Sequence, residues 1–220
     1  MKLYLSSTMI RGAPDLLLEM AGGRGSRLAI ITNAIDHIPL VDQLAYARDH
    51  FDPMIHFGQM GFDPSIIDLR FYFGRTAALR EVLSRHRVVW SVGGNAFLLR
   101  RAMRESGFDE VIADLLDERA VYGGWSAGAC VAGTSLHPIA LMDDPDQLAP
   151  AYPEIEPVME GLGLVPFSIV PHYRSDHPDT EAAERAVAWA VENGMEAVAL
   201  RDGDVVIRNG EDTNVVTGHS

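Results

Sequence analysis

The stretch Val121 to Cys130, VYGGWSAGAC, narrows the folds open to this chain more than any other. A short apolar run stops there at a glycine-flanked turn with Ser126 at its apex, in the pattern Gly124-Trp125-Ser126-Ala127-Gly128. Small residues two before and two after a serine suit a strand-to-helix elbow, where the backbone is strained and neighbouring main chain comes close. Such an elbow holds the hydroxyl clear of a sheet and sets a helix N-terminus beneath it. The Ala127 amide would then face an oxyanion formed on a carbonyl attacked by Ser126. The same five residues also describe an ordinary βα turn, so the rest of the chain has to decide.

Around the elbow, strand and helix patterns alternate with short connections. Lys2 to Ser7, Arg27 to Ala34, Arg87 to Val92, Ala120 to Trp125 and Phe167 to Pro171 read as strands, as do Glu196 to Leu200 and Val205 to Arg208. Ser65 to Phe73 is also rich in β formers. Apolar spacing predicts helices over Pro14 to Met20, Leu40 to Phe51, Thr76 to His86, Ala96 to Ser106 and Thr180 to Asn193. This alternation predicts one α/β domain over residues 1–220, a three-layer αβα sandwich on a mostly parallel sheet. Its site would lie at the carboxyl ends of the strands. Ser135 to Glu160 is rich in proline and acid and lacks periodicity, so it reads as a long loop across that edge.

Composition excludes some functions. A formal net charge of −13, with no run of Lys or Arg, argues against nucleic acid and against an anionic membrane as partner. No apolar run is long enough to span a bilayer. MKLYLSS at the start does not read as a secretion signal, so a cytoplasmic protein is expected. Cys130 is the only cysteine, which rules out an internal disulfide and a cysteine-based zinc cage. It reads as a small apolar residue behind the elbow.

A serine hydroxyl needs a base, and the base needs a group to orient it. Among eight histidines, His172 follows a buried strand and Pro171 on the edge expected for Ser126. His37, His137 and His177 fall in loops, and His50, His56, His86 and His219 fall at helix ends or in surface-like contexts. Asp202, after the next strand, gives the order Ser, His, Asp; Asp143 or Asp144 would give the α/β-hydrolase order Ser, Asp, His. The interval from Ser126 to His172 holds one irregular loop and one strand, too little for the extra βα units of an α/β-hydrolase, which favours Asp202. Gly93-Gly94-Asn95 at the end of a strand can turn backbone amides outward and add a second oxyanion donor; it lacks the remaining parts of a dinucleotide fingerprint. Arg174 could pair with a substrate carboxylate or with Asp176 or Asp179, and Asp143 and Asp144 could bind a substrate amino group.

Gly93-Gly94-Asn95-x-Phe97, Gly124-Trp125-Ser126-Ala127-Gly128-Ala129 and Pro171-His172-Tyr173 together resemble the peptidase E family of serine peptidases, with aspartyl dipeptidases as its best-known members. The likeness runs from the first strand to about Asn209. It implies a flavodoxin-like fold similar to that of class I glutamine amidotransferases, with serine in place of the amidotransferases' cysteine. It further implies Ser126 as nucleophile, His172 as base and oxyanion donors at Gly94 and Ala127, and it favours a homodimer. Asn95, Tyr173 and Arg174 are read as substrate contacts, and no metal or cofactor is expected. The chain differs from the family pattern in two places. Asp202-Gly203 stands where a Glu-Gly pair is usual, and the sequence stops at Ser220, before the family's additional C-terminal segment. Cleavage of small peptides or amides is therefore expected, with N-terminal aspartyl dipeptides the first to test. A silent binding or sensor protein on the same scaffold and an α/β-hydrolase-like esterase are the competing readings.

Overall fold

The computed structural model describes residues 1–10, 13–153 and 156–218. The strands are β1 (Lys2–Ser6), β2 (Arg27–Ile31), β3 (Asp63–Ile66), β4 (Val88–Ser91), β5 (Val121–Trp125), β6 (Ser168–Val170), β7 (Ala197–Ala199), β8 (Val205–Asn209) and β9 (Asp212–Val216). Seven of them form one sheet in the order β3-β2-β4-β5-β1-β8-β9. From β3 to β1 all neighbours are parallel, and β8 and β9 add an antiparallel edge. β6 and β7 pair in parallel with each other, apart from this sheet.

Strand alternation sends side chains to two cores, as period-two geometry requires. Leu3, Leu5, Ala29, Ile31 and Val89 face one layer, where α4 (Thr76–Leu83), α5 (Ala96–Ser106) and α6 (Phe108–Asp117) pack with Leu79, Phe97 and Val111. Tyr4, Leu28, Ile30, Val88 and Trp90 face the other, against Leu17 of α1 (Pro14–Ala21) and Phe57 of α3 (Pro53–Met60). The mostly parallel sheet with helices on both faces is the expected architecture.

Local chemistry sets several boundaries. The strand predicted to reach Ala34 ends at Ile31, because Asn33 turns into a 3₁₀ segment, Asn33–Ile35, and its buried amide bonds Asp36 and Asp68. The β-rich stretch from Ser65 stays extended only to Ile66; the Asp68 side chain accepts the Arg70 N–H and starts a 3₁₀ turn over Leu69–Tyr72. Asp52 caps α3 through the N–H groups of Met54 and Ile55, with Pro53 in the first turn. α2 (Leu40–Asp49) forms where periodicity predicts it, yet none of its residues is buried: Leu40 and Leu44 are 68% and 61% exposed. Its apolar face does not join the core.

The loop from Ser135 is closed at its base by a bridge to Glu160 and carries a 3₁₀ turn, Pro138–Leu141. It crosses the carboxyl edge as expected, and Asn95 Nδ2 donates to the Asp144 carbonyl at 2.8 Å. Among the described residues, no helix is long and apolar enough to cross a membrane.

Candidate active site

β5 lies between β4 and β1 near the middle of the sheet, and its carboxyl end delivers Ser126. The serine sits at φ 49°, ψ −118°, a strained conformation for a residue with a side chain. What holds it is partly hydrogen bonding, with the Ser126 N–H shared between the carbonyls of Ser6 and Ser7 at 3.1 and 3.0 Å. The rest is close packing: a Cβ at Gly124 would lie 2.5 Å from the Gly128 carbonyl carbon, and one at Gly128 would overlap the Ser91 carbonyl oxygen. The glycine spacing thus records main-chain contact on both sides of the elbow. The short helix α7 (Ala127–Cys130) follows, with Cys130 buried behind it and its thiol pushed well up by burial.

β6 and β7 bring the other two side chains together. Backbone bonds from Leu200 N to Val170 O and from Tyr173 N to Leu200 O, at 2.9 and 3.0 Å, hold the ends of the pair in register. His172, just beyond β6, then meets Asp202, just beyond β7. Nδ1 of His172 lies 2.8 Å from Asp202 Oδ1, and Nε2 lies 3.2 Å from Ser126 Oγ. With Asp202 ionised, Nδ1 carries the proton and donates it to the carboxylate, leaving Nε2 as acceptor for the serine hydroxyl. His172 has φ 61° and is 3% exposed, so its geometry is held against strain inside the protein.

Ser7, at the carboxyl end of β1, completes the arrangement and has no signature in the sequence. Fully buried, it accepts the His172 backbone N–H at 2.8 Å and donates its hydroxyl to Asp202 Oδ1 at 2.8 Å. Only its place in the sheet, beside β5, reveals this. The backbone of Asp202 is fixed in turn, its N–H donating to Ser175 Oγ at 2.8 Å. Burial alone would raise the Asp202 carboxyl, but hydrogen bonds from His172 and Ser7 and the fields of His172 and His177 outweigh it, and it titrates below the usual range.

Gly93 and Gly94 face the elbow from the end of β4. A Cβ at Gly93 would stand 3.2 Å from the Ser126 Cβ, and one at Gly94, where φ is 133°, would stand 2.6 Å from the Ala34 carbonyl oxygen. Among the described residues, neither the Gly94 nor the Ala127 N–H has a protein acceptor. A cleft of about 740 Å³ opens in front of Ser126, His172 and these glycines.

The three residues expected to contact substrate do not line that cleft. Asn95 is 8% exposed and committed to structure: its carbonyl oxygen caps α5 through Leu98 N at 2.9 Å, and its amide holds the Asp144 carbonyl. Tyr173 turns away beneath Arg174, whose guanidinium carbon lies 5.0 Å from the ring centroid. Arg174 pairs at 3.8 Å with Glu184, neither with Asp176 nor with Asp179, because its left-handed backbone, φ 49°, directs it onto α8 (Thr180–Glu192). Asp143 and Asp144 also lie apart from the His172 Nδ1. Asp143 Oδ2 accepts the Ala96 N–H at 2.8 Å, and Asp144 Oδ1 accepts the Asp146 N–H at 3.0 Å.

Among the other histidines, His86 is 5% exposed and bonded to Ser65 Oγ and the Val82 carbonyl, so it is a buried structural residue, not a solvated one. His219 lies outside the described residues. His177 stacks directly on His172, with ring centroids 3.7 Å apart and planes 6° from parallel. Burial and the neighbouring imidazole lower its pKa. Among the described residues, His172, His177 and Asp179 offer ligand atoms within 4.8 Å of one another. Stacked rings, however, send their lone pairs side by side, and a tetrahedral metal needs them to converge.

Asp143 lines the cleft, and burial pushes its carboxyl up to about 6, with Asp179 adding to the rise and the Ala96 N–H and His172 opposing it. The folded state therefore holds this proton more tightly than the unfolded chain does. The associated stabilisation is full below about pH 4 and is lost as pH rises through about 6. Asp143→Asn keeps an acceptor for Ala96 and removes the titration. Denaturant unfolding should show the variant gaining about 1–3 kcal/mol on the wild type between pH 4 and pH 8.

Known proteins resemble this chain in sequence and in fold. The profile of Peptidase family S51 matches residues 40–216. An uncharacterised peptidase of Pasteurella multocida is 29% identical over 190 residues, covering 84% of this chain and 83% of its own length. A protein of Drosophila melanogaster designated a probable alpha-aspartyl dipeptidase is 34% identical over 143 residues, 62% of this chain and 54% of that protein. Peptidase E of Haemophilus influenzae is 30% identical over 137 residues, 60% of this chain and 59% of the enzyme. The matches to these last two relatives thus span little more than half of their length. The crystal structure of a candidate peptidase E protein from Listeria monocytogenes shares the fold, with a TM-score of 0.77 at 18% identity over 98% of both chains. A peptidase from an acI-B1 Actinobacterium does so at 0.70 and 13% identity, over 98% of this chain and 87% of that one. With the profile covering most of the sequence and the fold shared end to end, this chain belongs to peptidase family S51.

Proposed function

We propose that the protein is a serine peptidase that cleaves short peptides or small amides through an acyl-enzyme, with Ser126, His172 and Asp202 as its triad. The observation that carries this reading is the unbroken path from Asp202 Oδ1 through the His172 ring to Ser126 Oγ, at 2.8 and 3.2 Å. Ser126 Oγ attacks the carbonyl carbon while its proton passes to His172 Nε2. Asp202 steadies the imidazolium, and the amides of Gly94 and Ala127 hold the oxyanion. His172 then gives the proton to the departing amine nitrogen as the C–N bond breaks. In the second half water attacks the ester carbon, His172 takes its proton and returns it to Ser126, and the carboxylic acid leaves. Ser7 holds His172 and Asp202 in register and is a positioning residue.

Aspartate at 202 is one methylene shorter than the glutamate usual in the family. The shorter side chain still reaches His172 Nδ1 at 2.8 Å, with the His172 backbone at φ 61°. Asp202→Asn should lower kcat by roughly 10³–10⁴-fold, as an amide there favours the wrong imidazole tautomer. Asp144→Asn should leave kcat within about threefold, since its bonds are to the loop's own backbone. Steady-state kinetics on a small panel of dipeptides checks both; loss in the second variant and not the first would favour the esterase arrangement.

A further inference from the structure

The cleft in front of Ser126 has two properties that bear on which peptides it accepts. Its charge is one-sided. Among the described residues, Asp36, Asp52, Asp68, Asp143 and Asp179 line it, against one guanidinium, Arg70. That guanidinium is already taken: it is bidentate to Asp68, with Nε at 3.0 Å and Nη2 at 2.7 Å, and its Nε lies 3.3 Å from Asp36. Arg174, two residues beyond His172, faces Glu184 outside the cleft. An acidic substrate side chain would therefore enter a negative field and, among the described residues, find no free cation, which the desolvation of a carboxylate makes unfavourable.

The second property is an apolar wall. Leu40 and Leu44 of α2, with Ile35, Ile38, Phe51 and Trp125, line the side of the cleft beyond the glycines. α2 contributes nothing to either core, so Leu40 and Leu44 stay largely exposed although they hold an amphipathic spacing. A helix whose apolar face borders the cleft before Ser126 and buries none of its residues is accounted for if substrate covers that face.

Resting on the serine peptidase reading above, we infer that the preferred substrate is a short peptide whose acyl residue, the one bearing the attacked carbonyl, has a bulky apolar side chain seated against α2, and that acyl aspartate is disfavoured. This separates the chain from the aspartyl specificity that one relative's designation carries.

Binding to the Ser126→Ala variant tests the inference without any turnover. Isothermal titration with Leu-Leu, Phe-Leu and Asp-Leu should show the two apolar peptides binding at least tenfold more tightly than Asp-Leu, the scale expected for one covered leucine-sized side chain. A Leu40→Ser/Leu44→Ser pair, both at exposed positions, should remove most of that difference. Equal or tighter binding of Asp-Leu, or no binding by any of the three at millimolar concentration, overturns the inference. So does an unchanged preference in the double variant. A dimer that the double variant dissociates, together with no side-chain preference, would assign this face to a second copy of the chain instead. Failure of the triad would show separately, as an unmodified Ser126 when the wild type meets a fluorophosphonate probe.

Discussion

Ser126→Ala should cut hydrolysis of any accepted dipeptide by roughly 10⁴–10⁶-fold, to the level that backbone donors and binding alone sustain. Cys130 is the nearest alternative nucleophile by sequence, but it is 2% exposed and its thiol is pushed far from the thiolate form by burial. The loss should be confined to kcat, because the hydroxyl takes no part in holding the elbow: the backbone N–H of Ser126 makes those bonds, to Ser6 and Ser7. Circular dichroism and the unfolding midpoint should match the wild type. Labelling by a fluorophosphonate, complete in the wild type, should vanish. Activity retained in this variant, with a native spectrum, would refute the triad.

A large effect on stability is expected at Gly128. A methyl group there would overlap the carbonyl oxygen of Ser91, and the obstacle is main chain in the middle of a parallel sheet, unable to swing aside as a side chain would. Overpacking against a movable neighbour costs about 1–3 kcal/mol, so Gly128→Ala should cost at least ~3 kcal/mol and disturb the helix that follows Ser126. Gly58 supplies the control. It lies within α3, and a methyl group there would meet nothing within 4 Å, so Gly58→Ala should be neutral or stabilising by up to ~1 kcal/mol. Urea unfolding of both variants checks the contrast. Equal stability of the two would mean that the elbow does not depend on main-chain contact at Gly128.

Much of the fold was legible because burial is periodic. Strands buried on both faces read as continuous apolar runs, and α5 appears over Ala96–Ser106 as its spacing predicts. Periodicity misleads where apolar residues are not in the core: α2 has the spacing of a core helix and buries none of its residues, because its neighbour is the open cleft. It is also silent where a cap decides. The pair Asp52-Pro53 starts α3, and Asp68 bends the chain into a 3₁₀ turn, in each case through a side chain accepting backbone N–H groups.

The sequence by itself determined the elbow, since only glycine fits where Gly124 and Gly128 meet other main chain, and it singled out the serine, histidine and aspartate by their places after strands. Tertiary structure alone decided what surrounds them. Ser7 joins His172 to Asp202 from more than a hundred and fifty residues away in sequence, and His177 lies flat on the His172 ring. Asn95, Tyr173 and Arg174 turn to structural partners and leave the cleft to α2. The physical reason is that steric and backbone demands are local and leave a mark at fixed spacing, whereas the partner of a polar side chain is chosen by which strand ends the sheet brings together.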